Sequence, residues 1–212
     1  MPRCIVILLL MLGALPAAEE VFIITAFRPF MGRGKNASET ILNSLKQDPD
    51  FAKVQLRVLD VGWDKVRDVI AELSPAKLRG IIGLGEGHKG FVAIELYGRN
   101  VANGTDEFGV AKGGEVIAAG KPAQARSRIL FQLRSEAEYP VPIVISNNAG
   151  EFLCNYALFQ YNQLDARVSG FIHVPPQESV PDEAYLHVIR PVVVDILKQN
   201  LAKQRLEPLN LR

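Results

Sequence analysis

The stretch GIIGLGEGHKGFVAIELY, Gly80 to Tyr97, carries the segment on which the fold turns. GIIGLG (Gly80–Gly85) is short, uncharged and aliphatic, the pattern of a strand buried within a sheet; VAIELY (Val92–Tyr97) is a further extended segment. Between them EGHKG makes a glycine-rich loop. It is not a Walker loop, and because no helix clearly follows it, GLGEGHKG is not a dinucleotide-binding fingerprint either.

Working outward, VFIIT (Val21–Thr25) reads as another buried strand, followed by the loop AFRPFMGRGKN and a helix from about Ser38 to Lys46. VQLRVLDV (Val54–Val61) alternates as a strand, and Val66, Val69, Ile70 and Leu73 have helical spacing over Asp64–Leu73. Residues 98–120 form an excursion rich in glycine and charge, with a hairpin expected through VAKGGEVIAA. Pro122–Glu138 reads as a helix, IVIS (Ile143–Ser146) as a strand, and Glu151 to about Leu164 as a helix. GFIHV (Gly170–Val174) is a last strand, and Pro181 opens a long C-terminal helix that Pro191 is expected to kink. Strands alternating with helices predict an α/β sandwich around a largely parallel sheet. No repeat, low-complexity tract or linker divides residues 19–212, which read as a single domain.

A net charge of +1, without aromatic and basic residues interleaved, argues against a nucleic-acid partner. The N-terminus differs from the rest. Arg3, the apolar run Ile5–Leu12 and the small-residue exit Leu15-Pro16-Ala17-Ala18 have the layout of a signal peptide over residues 1–18, which predicts export to the periplasm or the exterior. A first strand or a core helix is the alternative; the run is short for a membrane span, and nothing implies a membrane partner after cleavage. Cleavage removes Cys4 and leaves Cys154 as the only cysteine, so no internal disulfide can form.

Ligands of such sheets gather beyond the carboxyl ends of the strands, which directs attention to the loops after Thr25, Leu84, Ser146 and His173. Cys154 stands near the start of a helix, where N–H groups and the dipole favour a thiolate and can hold an oxyanion; a packed, inert thiol is the alternative. A nucleophile needs a base, and the chain has three histidines. His88 falls in the glycine loop and His187 in the C-terminal helix, while His173 ends a buried strand before Pro175-Pro176 and is the best partner for Cys154. Glu95 and Glu86 are candidates for the acid that fixes the ring. Scattered histidines and a lone cysteine form no metal-binding cluster, and no cofactor is implied.

These boxes resemble a known family. SNNAGEFLCN (Ser146–Asn155) resembles the nucleophile box S-x-x-AG-x-x-x-CN of the pyroglutamyl peptidase I (pyrrolidone-carboxylate peptidase) family of cysteine peptidases, and GFIHVP resembles its histidine box. ITAFRPFMGRGKNAS is similar to its segment TGF-x-PF-GG-x-x-x-NPS, IIGLGEG and VAIELYGRN to its glycine loop and acid-bearing segment, and GTDEFG more loosely to IPDN-x-G. The resemblance implies a three-layer α/β/α sandwich, often assembled as a homo-oligomer. It implies Cys154 as nucleophile, His173 as general base and acid, Glu95 as the group orienting the imidazole, Phe27 and Phe30 as walls around a lactam ring, and Asn36 as support for their loop. The implied reaction removes an N-terminal pyroglutamyl residue from a peptide through a thioester.

The family's usual glutamine after the glycine is Glu86 here. A lactam presents one N–H and one C=O, which a glutamine amide answers together, whereas a carboxylate only accepts. Glu86 is therefore expected to be able to hold the lactam N–H but to repel its carbonyl unless protonated or turned away. An altered specificity, with Glu86 reading an N-terminal amine, and a non-catalytic protein that binds peptide N-termini are the other readings.

Overall fold

A computed structural model describes residues 20–73, 77–133, 139–178 and 180–202; the expected signal peptide, residues 1–18, lies outside them. Its centre is a six-stranded sheet in the order β2-β1-β3-β10-β4-β9. The strands are β1 (Val21–Phe27), β2 (Val54–Leu59), β3 (Leu78–Glu86), β4 (Val92–Glu95), β9 (Ile143–Ser146) and β10 (Val168–Val174). β2, β1, β3 and β10 pair in parallel. β4 runs antiparallel to β10 and parallel to β9.

Side-chain alternation with a period of two builds a three-layer sandwich on this sheet. On one face Ile24, Ile82, Leu84, Ile172 and Val174 pack with helices α1 (Ala37–Leu45) and α4 (Asp182–Ala202). On the other, Ile23, Ile81 and Phe171 pack with α2 (Trp63–Ala71) and α3 (Leu153–Asn162). Fully burying each such side chain is worth about 1.5–3 kcal/mol, so a slip of one residue, which exchanges the faces, is strongly opposed. The same alternation turns His173 and Glu95 towards α3, because they share parity with Phe171 across the β10–β4 ladder.

The helices start where local chemistry places them. The Asn36 side chain accepts from Ser38 N at 3.0 Å and caps α1, which starts at Ala37, one position before the expected Ser38, and buries Ile41, Leu42 and Leu45. Helix α4 begins directly after Pro181 and continues through Pro191 to Ala202.

Three expectations are corrected. Because β4, and β9 parallel to it, run opposite to β10 and the strands beyond, Ser146 lies away from the carboxyl-end edge, and residues 147–152 bring the chain back to it. The helix expected over Pro122–Glu138 is absent from the described part of that range. Gln124–Arg126 is strand β8, paired with β5 (Tyr97–Arg99), and Arg128 N and Leu130 N donate to Ser169 O and Asn200 Oδ1. Tertiary acceptors there replace the i−4 carbonyls that a helix needs. The hairpin is present but sits earlier: β6 (Ala102–Thr105) pairs with β7 (Ala111–Glu115). Its turn is organised by Asp106, whose Oδ1 accepts from Phe108 N at 3.0 Å and Val110 N at 2.8 Å while Oδ2 accepts from Trp63 N at 3.1 Å.

Candidate active site

Three elements converge at the carboxyl end of β3 and β10. β10 carries His173, β4 carries Glu95 on the adjacent antiparallel strand, and the first turn of α3 carries Cys154. Nδ1 of His173 and Oε1 of Glu95 are 2.8 Å apart, and both side chains are buried. Glu95 Oε2 has no hydrogen-bond partner among the described residues, so His173 is the group that answers this carboxylate. Burial opposes charge on the ring, but the charge and hydrogen bond of the Cys154 sulfur, joined by Glu95, outweigh it. The His173 pKa is pushed up to about 10.

The glycines of the loop make room for this pair. A Cβ on Gly85 would stand 2.9 Å from Cys154 Sγ, and one on Gly87 would stand 2.6 Å from His173 Cβ. The GLGEG sequence is thus the packing complement of a thiol and an imidazole. On the far side, Asn155 fastens the start of α3: its Oδ1 accepts from Arg99 N at 2.7 Å, and its Nδ2 donates to Arg99 O and Val101 O. No side chain caps α3, which leaves the N–H groups of its first turn without a side-chain acceptor beside Cys154.

Here the fold leaves a cavity of about 340 Å³ lined by Cys154, His173, Phe27, Phe30, Phe152, Val61 and Glu86 among others. Phe30 meets Phe152 at 6.2 Å between ring centroids, and Phe152 stands edge-on to Trp63 at 5.2 Å. Phe27, Phe30, Phe152 and Val61 give apolar wall, and Asn36, Glu86, His88, Asn148, Glu151, Cys154 and His173 supply the polar groups. Asn36 supports the entry loop, with Nδ2 donating to Arg28 O at 3.1 Å. His88 is exposed at the cavity, and His187 lies on the surface of α4.

Comparison with known proteins now bears on this geometry. Residues 20–191 match the family model described as pyroglutamyl peptidase. The chain belongs to the pyroglutamyl peptidase family. These are cysteine peptidases acting on N-terminal residues. A pyrrolidone-carboxylate peptidase of Pyrococcus furiosus is 31% identical over 167 residues, 72% of this chain and 79% of the relative. One from Thermoanaerobacter sp. is 29% identical over 165 residues, 72% of this chain and 81% of the relative. In solved structures, the Pyrococcus furiosus pyrrolidone carboxyl peptidase aligns with TM-score 0.68 at 24% identity, covering 86% of this chain and 98% of that one. The Thermococcus litoralis enzyme aligns with TM-score 0.65 at 22% identity, covering 90% and 100%. Both show the shared α/β fold.

Against the family pattern, the residues singled out in the sequence all reach one site: Cys154, His173, Glu95, Phe27, Phe30, Glu86 and Asn36. Of the two acids weighed for the ring, Glu95 is the one in contact. Glu86 lines the same cavity and is not a free carboxylate. Its Oε1 pairs with Arg33 Nη1 at 2.5 Å, and its Oε2 accepts from Ala37 N at 3.0 Å, at the start of α1.

Sequence reasoning missed four participants. Phe152 was detectable as an aromatic two residues before Cys154. Val61 and Arg33 had no local signal, since their roles arise from contacts across the fold. Arg99 braces the returning segment: Nη2 donates to Asn148 Oδ1 at 3.2 Å and Gly150 O at 2.9 Å, and Nη1 pairs with Glu151 at 3.3 Å.

Proposed function

We propose that the protein removes an N-terminal pyroglutamyl residue from peptides through a thioester on Cys154. The observation that carries this reading is the buried Glu95–His173 contact of 2.8 Å with the Cys154 sulfur against the same ring, at a partly apolar cavity. Glu95 holds Nδ1 and fixes the ring so that Nε2 addresses the sulfur. The Cys154 thiolate attacks the carbonyl carbon of the pyroglutamyl residue, and first-turn N–H groups of α3 hold the oxyanion. As the C–N bond breaks, the His173 imidazolium gives its proton to the departing amine. The neutral ring then takes a proton from water, whose oxygen attacks the thioester; the C–S bond breaks and free pyroglutamate leaves.

Hydrolysis of a pyroglutamyl aminocoumarin by the purified protein tests this. Wild type is expected to release dye and Cys154→Ser to release none. Equal rates for the two, with both folded, refute the reading.

A further inference from the structure

The opposite edge of the sheet holds a second cavity, of about 540 Å³, at the amino ends of β1, β2 and β3. Its lining includes Glu20, Phe22, Asp50, Lys53, Arg79 and Leu201. Nothing in the proposed peptidase reaction uses it.

Strand pairing is irregular at this point. Val21 stands opposite Leu78 and Phe22 opposite Gly80, so Arg79 is an extra residue in β3. Such a bulge breaks the alternation of a strand and re-aims a side chain. Here the Arg79 guanidinium lies over the Phe22 ring, 5.6 Å from its centroid. That ring has its place because residue 80 is glycine: a Cβ there would stand 2.4 Å from Phe22 Cε2. Bulge, glycine and ring together seat a cation at the cavity.

A seated cation needs an anion. Arg79 is only 9% exposed, and its side chain makes one hydrogen bond among the described residues, from Nη2 to Leu201 O at 2.7 Å. A guanidinium carries five N–H donors, so most of its capacity is unused. Burial pulls the Arg79 pKa below the ordinary arginine value; Glu20 opposes that, and Arg167 adds to it. Among the described residues neither Arg79 nor Lys53 forms an ion pair, whereas both acids of the lining are engaged elsewhere. Glu20 pairs with Arg167 at 3.5 Å, and Asp50 pairs with Lys198. Two cations without acids therefore face one cavity, one buried in it and one exposed.

We infer that this cavity is a binding site for a small oxyanion, taken by the Arg79 fork with Lys53 closing on it. A carboxylate and a phosphate present the same acceptor oxygens to such donors, so both belong to the class. The site stands at the sheet edge opposite Cys154, so its occupancy acts on stability and not on turnover. An anion held there binds only the folded chain, in which the starts of β1, β2 and β3 meet the end of α4.

Thermal melts of the purified protein in sodium phosphate and in sodium glutarate, each against sodium chloride at matched ionic strength, test this. Wild type is expected to gain about 3–6 °C, saturably, at about ten times the dissociation constant of the anion that fits. Phosphate acting alone marks a phosphate site, and glutarate acting alone marks a carboxylate site. Lys53→Met removes an exposed charge; it is expected to melt near wild type in chloride, keep kcat and lose about half of the shift or more. Arg79→Met keeps an unbranched apolar stem for Phe22 and is expected to lose the shift altogether. The general stabilisation that excluded anions give any protein is common to wild type and both variants, so the difference between them isolates the site. The inference is overturned if neither anion gives wild type a saturable shift, or if the shift in either variant equals that of wild type.

Discussion

Replacing Gly85 by alanine adds one methyl group at the most crowded point of the site. The new Cβ would lie 2.9 Å from Cys154 Sγ and 2.6 and 2.8 Å from the Phe171 ring carbons Cε1 and Cζ. Ordinary contact begins at 3.4 Å, so the sulfur has to retreat by about 0.5 Å and the ring by more. Phe171 is fully buried and His173 rests 5.1 Å from it, centroid to centroid, so the ring cannot yield without disturbing the imidazole. Overpacking of this kind costs about 1–3 kcal/mol of stability, which lowers the melting temperature of a domain this size by roughly 2–12 °C. The kinetic effect is larger. A displacement of about 1 Å at a reacting atom costs roughly a hundredfold, so a shift of half that size is expected to reduce kcat about tenfold or more. Steady-state kinetics on pyroglutamyl aminocoumarin, with a thermal melt of the same sample, measure both. Gly90→Ala is the comparison, since nothing lies within 4 Å of its Cβ and only its φ of +87° is strained; it is expected to lose some stability and keep kcat. Full kcat in a folded Gly85→Ala protein refutes the claim that this glycine exists to seat the thiol.

Other consequences are open to measurement. The His173 ring titrates about 10 rather than near 6.5, so its charged form is stabilised by folding. That contribution is fully present below pH 6.5 and is lost as pH rises through about 10; Cys154→Ala is expected to lower the midpoint, read by NMR of the imidazole protons, and an unchanged midpoint contradicts the assigned cause. Glu95→Gln, which keeps the shape but removes the charge facing Nδ1, is expected to reduce kcat by about 10²–10⁴ with little change in KM. Phe30→Ala removes a cavity wall and is expected to raise KM by roughly tenfold while Cys154 alkylation in the absence of substrate is unchanged. Arg99→Leu releases the brace on residues 148–151 and is expected to lower kcat while a pyroglutamyl-type inhibitor's affinity falls less than threefold; equal losses in both refute a role specific to the nucleophile's approach.

Much of this protein is legible in its sequence because the interactions that decide it are local. VFIIT and GIIGLG are aliphatic and uncharged, so only a sheet covered on both sides accommodates them, and β1 and β3 lie there. The periodicity of Val66 and Val69 and the Pro181 start marked α2 and α4. Cys154, His173 and Glu95 were separable from other residues of their types because each sits in a recognisable box at an element's end. The Pro122–Glu138 segment misled because its helical composition is a weak preference, overruled when Ser169 and Asn200 supply its backbone partners. The direction of β4 is equally silent in sequence, since VAIE alternates identically whichever way it runs; only pairing with β10 sets Glu95 against His173.

The pocket marks the boundary most clearly. A glycine in a string of five letters carries no record of the atom it makes room for, and the need for Gly85 became evident only with Cys154 Sγ beside it. Glu86 read alone is a charge in the wrong place. With Arg33 at one oxygen and the Ala37 N–H at the other, brought from 53 and 49 positions away in number, it is half of a balanced pair. Sequence by itself determined most of the strands and helices and the candidate reacting groups, because propensity, periodicity and motif act over a few neighbouring residues. The tertiary structure alone decided strand direction, the room left for the thiol and the charge state of the pocket, because each depends on atoms that meet only when distant segments fold together.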